Sequence, residues 1–262
     1  MRTKKKNTKR LCVLLMIVLF ISVLGYFLFK QFDNGQKKYR ILACMSSYNR
    51  PMFASAQVLR LLKQSYPVDI SVSIKGVPKN FVDEALLKEW APEIAKGRVR
   101  VRVDENRDQY GNLLDTVRDI DLEQYDFFCK IDDDDWYGPD YFKNLNEWLN
   151  REKDIIMTHT RNNMIVMPGE NGVSVMKNTS NLSGPSMCFS RYMIKIALEL
   201  ETNLEKARQL VPEADLGMYK YKHEDNFLHR LATALGKVQR RDTPLWDLVF
   251  GWQYKSVIRP NA

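Results

Sequence analysis

The chain has 262 residues, with 40 Lys and Arg against 32 Asp and Glu, a formal net charge of +8. Residues 1–40 hold ten of those cations and one acid, Asp33, so they carry +9 and residues 41–262 carry −1. The larger part therefore lacks the basic excess that phosphate-backbone binding uses, which removes nucleic acid as an expected partner, and its length suits one large α/β domain.

Residues 1–10 are a basic tail. Leu11 to Phe29 is a run of nineteen residues without a charge, long enough to span a bilayer as a helix. A cleaved signal peptide would need small residues near its end, whereas Tyr26-Phe27-Leu28-Phe29-Lys30 is bulky throughout, so the expectation is an uncleaved single-pass signal-anchor in contact with the lipid bilayer. Six basic residues precede the run and four follow it closely, a modest bias for the N-terminus inside. Residues 30–39 read as a linker and residues 40–262 as the globular domain.

Within that domain, Arg40 to Met45 reads as a short buried strand that enters the turn-prone Ser46-Ser47-Tyr48-Asn49-Arg50-Pro51, with a helix after Pro51. Val68 to Ile74 alternates as a strand, Phe81 to Ile94 has helical spacing, and Arg98 to Val103 alternates strictly. A helix is expected over Leu113 to Ile120. Tyr125 to Ile131 is an apolar strand that stops at Asp132-Asp133-Asp134-Asp135, and Gly138-Pro139 opens a helix reaching Leu149. Residues 153–189 look irregular, and helical spacing returns at Tyr192 to Leu210 and Asp225 to Leu235. This order of strands and helices is that of a mostly parallel, Rossmann-like sheet flanked by helices, with ligands at the carboxyl ends of its strands.

The four cysteines, Cys12, Cys44, Cys129 and Cys188, form no CxxC pair and no zinc-ligand spacing; Cys44 and Cys129 sit in apolar runs and read as buried structural thiols. The four aspartates are the feature that asks for chemistry. Adjacent carboxylates raise each other's pKa unless a cation shares the site, and Mn²⁺ or Mg²⁺ takes such oxygen ligands together with substrate phosphates. An EF-hand is excluded, because with Asp132 in first position the glycine of the sixth would be Tyr137. The competing reading is a solvated acidic turn.

Three motifs in order resemble the family 2 type of glycosyltransferases with the GT-A fold: Ser47-Tyr48-Asn49-Arg50-Pro51 after the first strand, Ile131-Asp132-Asp133-Asp134-Asp135-Trp136-Tyr137-Gly138-Pro139, and His223-Glu224-Asp225-Asn226 with Arg230 beyond it. The resemblance runs from about residue 40 to about residue 240 and implies a metal-dependent transferase acting in glycan biosynthesis. It would move a sugar from a nucleotide-sugar donor to a hydroxyl on a glycan or glycolipid acceptor, with inversion. It implies that Tyr48, Asn49, Arg50, Asp132 and Asp133 line the nucleotide-sugar site, that Asp132 and Asp134 (the DxD motif) hold the metal, and that Asp225 is the catalytic base with Glu224 assisting. His223 is more simply a structural residue, and Trp246 and Trp252 packing residues, than ligand groups. Where many members carry base-reading acids after the second strand, this chain has Ser73 and Lys75, which leaves the nucleotide open.

The resemblance also sets the expected location: a Golgi-type lumen in a eukaryote, where sequons Asn178-Thr179-Ser180 and Asn181-Leu182-Ser183 could be used, or the cytoplasmic face of the inner membrane in a bacterium. The alternative from another class is a catalytically inactive GT-A-like protein that binds glycans or nucleotides at a membrane. A nucleotidyltransferase or phosphohydrolase would want a phosphate-cradling glycine loop or a second metal cluster, and neither motif is present.

Overall fold

Alternation along Ile41–Tyr48 (β1) sends Ile41, Ala43 and Met45 to one face of a sheet and Leu42 and Cys44 to the other, all buried. A strand covered on both faces belongs in the middle of a parallel sheet, and β1 lies there. The computed structural model describes residues 16–25, 36–76, 79–104, 109–160, 163–169, 172–178, 186–210, 224–241 and 248–250. The chain divides into two compact units, Met1–Lys38 and Tyr39–Ala262.

In the first unit residues 16–25 are helical, with Met16, Ile17, Val18, Leu19, Phe20, Ile21, Val23 and Leu24 exposed. Among the described residues no helix is long and apolar enough to cross a membrane. Residues 11–15 and 26–29 of the expected span lie outside those described.

In the second unit, Pro51–Leu62 (α1) follows β1, with Pro51 in the first turn, where its missing N–H costs nothing. Asp69–Lys75 (β2), Lys79–Ala95 (α2), Val99–Asp104 (β3), Gln109–Asp115 (α3), Phe127–Asp132 (β4), Trp136–Tyr137 (β5) and Tyr141–Leu149 (α4) come next. Then come Ile155–Thr160 (β6), Asn163–Gly169 (β7), Gly172–Asn178 (β8), Cys188–Ser190 (β9), Arg191–Thr202 (α5), Leu204–Leu210 (α6), Glu224–Leu235 (α7), Lys237–Arg241 (β10) and Leu248–Phe250 (β11).

The main sheet has the order β10-β6-β9-β4-β1-β2-β3, with every pairing parallel except those of β9 with β4 and β6. A smaller sheet has the order β5-β11-β7-β8. One face of the main sheet packs Val72, Ile74, Cys129 and Ile131 with Trp90, Phe142 and Leu145; the other packs Phe128 and Phe189 with Leu113, Leu114, Met193, Phe227 and Leu231. Each such side chain contributes about 1.5–3 kcal/mol when fully buried, so this unit carries both cores that hold it together. The strand order turns back between β1 and β4, and the carboxyl ends of those two strands open the crevice where ligands bind in such sheets.

The expected elements hold through Leu149 with three shifts. β1 runs on through Ser46, Ser47 and Tyr48, so the turn shrinks to Asn49 and Arg50; the α3 helix starts at Gln109 and stops at Asp115; and Trp136–Tyr137 is a strand. Residues 153–189 are not irregular: they contain β6, the β7–β8 hairpin and β9. Their alternation was masked because β6 mixes Thr158, His159 and Thr160 into buried positions. The helical stretch at 192–210 is two helices, broken at Asn203, whose side chain accepts the Lys206 N–H as a new cap. Cys129 is not a free thiol. It faces Cys188 across the β4–β9 pair and the two form a disulfide, while Cys44 stays free and buried.

Candidate active site

The acidic run falls at the carboxyl end of β4 because Asp132 closes the strand and the chain then reverses into β5. The reversal is pinned from its far side. The Asp132 N–H donates to the buried Tyr137 hydroxyl (3.0 Å), and Gln64 of the segment after α1 donates to the Gly138 carbonyl (2.8 Å).

Across the crevice β1 ends at Tyr48, and Asn49 adopts a left-handed φ of 55°, tolerable for Asn, with its N–H on the Lys75 carbonyl (2.7 Å). This kink throws Arg50 toward the aspartates. Its two terminal nitrogens lie 2.5 Å from Asp133 Oδ1 and 2.5 Å from Asp134 Oδ2, and the Ser47 hydroxyl donates to Asp133 Oδ2 at 2.5 Å. Tyr48 is 67% exposed and its ring lies along Gly76, where a Cβ would come within 3.2 Å of Cε2. The space that Gly76 leaves lets an aromatic face stand open beside the acidic run.

Asp225 enters from the first turn of α7. Lys130, two residues before Asp132 on β4, reaches both acids: its Nζ is 2.9 Å from Asp225 Oδ1 and 3.3 Å from Asp132 Oδ1. The structure thus brings Tyr48, Asn49, Arg50, Asp132, Asp133, Asp134 and Asp225 to one end of the sheet. Glu224 begins α7, but its side chain lies outside the described residues, as do His223, Trp246 and Trp252.

The electrostatics are those of crowded acids with too little water. Burial raises the Asp132 carboxyl above its ordinary range; Lys130 opposes this, while Asp225 and Asp134 add to it. Burial likewise lifts Asp133 to about 6, against the Ser47 hydrogen bond and Arg50, with Asp134 and Asp132 contributing to the rise. For Arg50, burial pulls down, but Asp133 and Asp134 outweigh it and hold the guanidinium more firmly charged than usual.

Does this set fit a divalent cation? Among the described residues no group of three or more His, Cys, Asp or Glu is arranged to hold one. Asp132 and Asp134, two residues apart in the run and in contact with Lys130 and Arg50 respectively, are of the oxygen-donor type that Mn²⁺ or Mg²⁺ takes, and donor phosphates and water would have to complete such a set.

One group at the site was missed in the sequence, and one was read differently. Lys130 was visible as a charge inside an apolar strand. Lys75, weighed as a base reader, is fully buried with its Nζ 2.9 Å from Asp115 Oδ2 of α3; Arg118 donates to the other oxygen and continues to Glu201. Its ammonium is thus committed to Asp115, not offered to a base.

No protein-family model matches the chain, and no curated sequence matches it. Solved structures do. The mannosyltransferase PcManGT from Pyrobaculum calidifontis, in complex with GDP-Man and Mn²⁺, aligns with 89% of this chain at 12% identity and a TM-score of 0.53. The chain is similar in fold to a mannosyltransferase. At that identity the likeness is one of fold, and the chain spans 65% of that protein's length. S. aureus TarS (13% identity, 81% of this chain and 36% of that one, TM-score 0.46) is more remote. So is 4-diphosphocytidyl-2C-methyl-D-erythritol synthase from Anaerococcus prevotii (9%, 80% and 89%, 0.44).

Proposed function

We propose that this chain is an inverting glycosyltransferase that moves a sugar from a nucleotide-sugar donor to a hydroxyl of a glycan or glycolipid acceptor. The observation that carries the reading is the convergence, at the β1–β4 switch point, of an open aromatic ring, a cation and three aspartates, with a further carboxylate, Asp225, held across from them through Lys130.

In this reading Tyr48 stacks on the base, and Arg50, only partly buried, exchanges Asp133 and Asp134 for diphosphate oxygens. Asp132 and Asp134 would hold Mn²⁺ or Mg²⁺. When bound, that cation would offset the charge that grows on the diphosphate. Asp225 takes the proton from the acceptor hydroxyl as its oxygen bonds to the anomeric carbon; the bond from that carbon to the diphosphate oxygen breaks, and its electron pair leaves with the nucleoside diphosphate. One displacement of this kind inverts the centre.

We also read residues 11–29 as a single-pass anchor and the domain as lying in an oxidising compartment, a placement that the Cys129–Cys188 bridge supports.

The test uses the Tyr39–Ala262 unit with a panel of nucleotide sugars, with and without Mn²⁺, following released nucleoside diphosphate. Metal-dependent release from one donor, lost in Asp134→Ala and Asp225→Asn, is the expected result. Nucleotide binding without turnover on any donor and acceptor pair would favour a binding protein and overturn the proposal.

A further inference from the structure

Lys130 is 2% exposed, inside a strand whose neighbours Phe128, Cys129 and Ile131 are fully buried. An ammonium in such a place is costly unless its charge is answered. Two carboxylates answer it, from different parts of the chain. Asp132 stands two residues on, hence on the same face of β4, and Asp225 arrives from the first turn of α7, which packs on that face. Among the described residues Asp225 Oδ1 has no aligned hydrogen bond, so its contact with Lys130 is one of charge attraction, to which the positive end of the α7 dipole adds.

We infer that Lys130 is a positioning residue, which draws the Asp225 carboxylate against β4 and fixes it facing the acceptor hydroxyl while tying it to Asp132 on the donor side. This rests on the reading of Asp225 as the base. The geometry gives a lysine an advantage, since one compact ammonium with three donors can serve two carboxylates at once. Methionine has a similar stem and no charge. In Lys130→Met the two acids face each other without a cation, and Asp225 turns away.

A base displaced by about 1 Å costs about 100-fold in rate. Lys130 touches the donor side through Asp132, while the donor contacts made by Tyr48 and Arg50 do not involve it. The kinetic signature is therefore unequal: kcat for transfer falls about 100-fold, and the donor KM rises by less than about 10-fold. Small, mobile water is less demanding of base geometry than a fixed acceptor, so donor hydrolysis falls less than transfer and the ratio of hydrolysis to transfer rises. Lys130→Arg, which keeps the charge, recovers part of the lost kcat.

The experiment measures transfer, hydrolysis and donor KM for the Tyr39–Ala262 unit as wild type, Lys130→Met, Lys130→Arg and Asp225→Asn. A stability cycle in urea with Lys130→Met, Asp225→Asn and the double variant accompanies it. The cycle should show the two residues coupled by about tenfold or more in the unfolding constant, a readout independent of activity. Loss of stability in Lys130→Met with wild-type kcat would make Lys130 a structural residue and overturn the inference, with the transferase reading intact. Transfer surviving in Asp225→Asn would remove the base and the inference together. If Lys130→Met does not fold, Lys130→Gln, neutral but able to hydrogen-bond both acids, carries the same prediction, and a wild-type kcat there overturns it.

Discussion

Replacing Lys75 by Met should cost the domain about 3–5 kcal/mol, more than a typical core substitution. Both side chains of the Lys75–Asp115 pair are fully buried and stand 2.9 Å apart. Each ion has given up hydration worth several kcal/mol, and their attraction recovers it only while both are present. Arg118 also reaches Asp115, its Nε 3.0 Å from the other oxygen, but it is shared with Glu201. Lys75→Met takes away an ammonium 2.9 Å from a fully buried carboxylate, which places the cost in that range and not near zero. For a domain of this size the loss lowers Tm by roughly 10 °C. Urea unfolding of the Tyr39–Ala262 unit, followed by Trp fluorescence, measures it. The double variant Lys75→Met/Asp115→Leu removes both ions and should regain most of the stability, since an apolar pair of similar volume needs no hydration. A single variant that loses less than about 1 kcal/mol, or a double variant worse than the single, would refute the account of the pair as mutually dependent buried charges.

Three further outcomes are expected. Gly76→Ala is strained twice, by a φ of +76° and by a Cβ within 3.2 Å of Tyr48, so it should cost about 1–2 kcal/mol in thermal unfolding and raise the donor KM as the Tyr48 ring is pushed from its place. Intact mass under non-reducing conditions should show the Cys129–Cys188 bridge, and Cys129→Ala/Cys188→Ala should lower stability by about 2–4 kcal/mol. Burial, together with His229, Arg240 and Arg241, pushes His159 down to about 4 from 6.5, so the fold binds fewer protons than the unfolded chain between those values. Its stabilising share is complete above pH 6.5 and is lost as pH falls through 4; urea midpoints at pH 5 and 7.5 should draw closer together in His159→Asn than in wild type.

The sequence by itself determined the order of elements from Ile41 to Leu149 apart from the short β5, the acidic run at a strand end and the division between a basic, apolar N-terminal segment and a nearly neutral domain. These are local properties: period-2 alternation in β1, β2 and β3, Pro51 and Pro139 as punctuation, charge counted along the chain. Tertiary structure decided the rest. Nothing local says that Cys129 lies opposite Cys188, 59 residues away, since that depends on β9 inserting antiparallel between β4 and β6. Nor does spacing reveal that Arg50 spans Asp133 and Asp134, or that Lys75 pairs with a buried Asp115. The strands of residues 153–189 escaped the period-2 test because their buried positions carry Thr and His, whose acceptability inside depends on partners supplied by distant chain. Lys130 shows the division most plainly. One residue gives an anomaly, a cation in an apolar strand; only the fold, by bringing α7 to the carboxyl end of β4, gives that cation two carboxylates to hold.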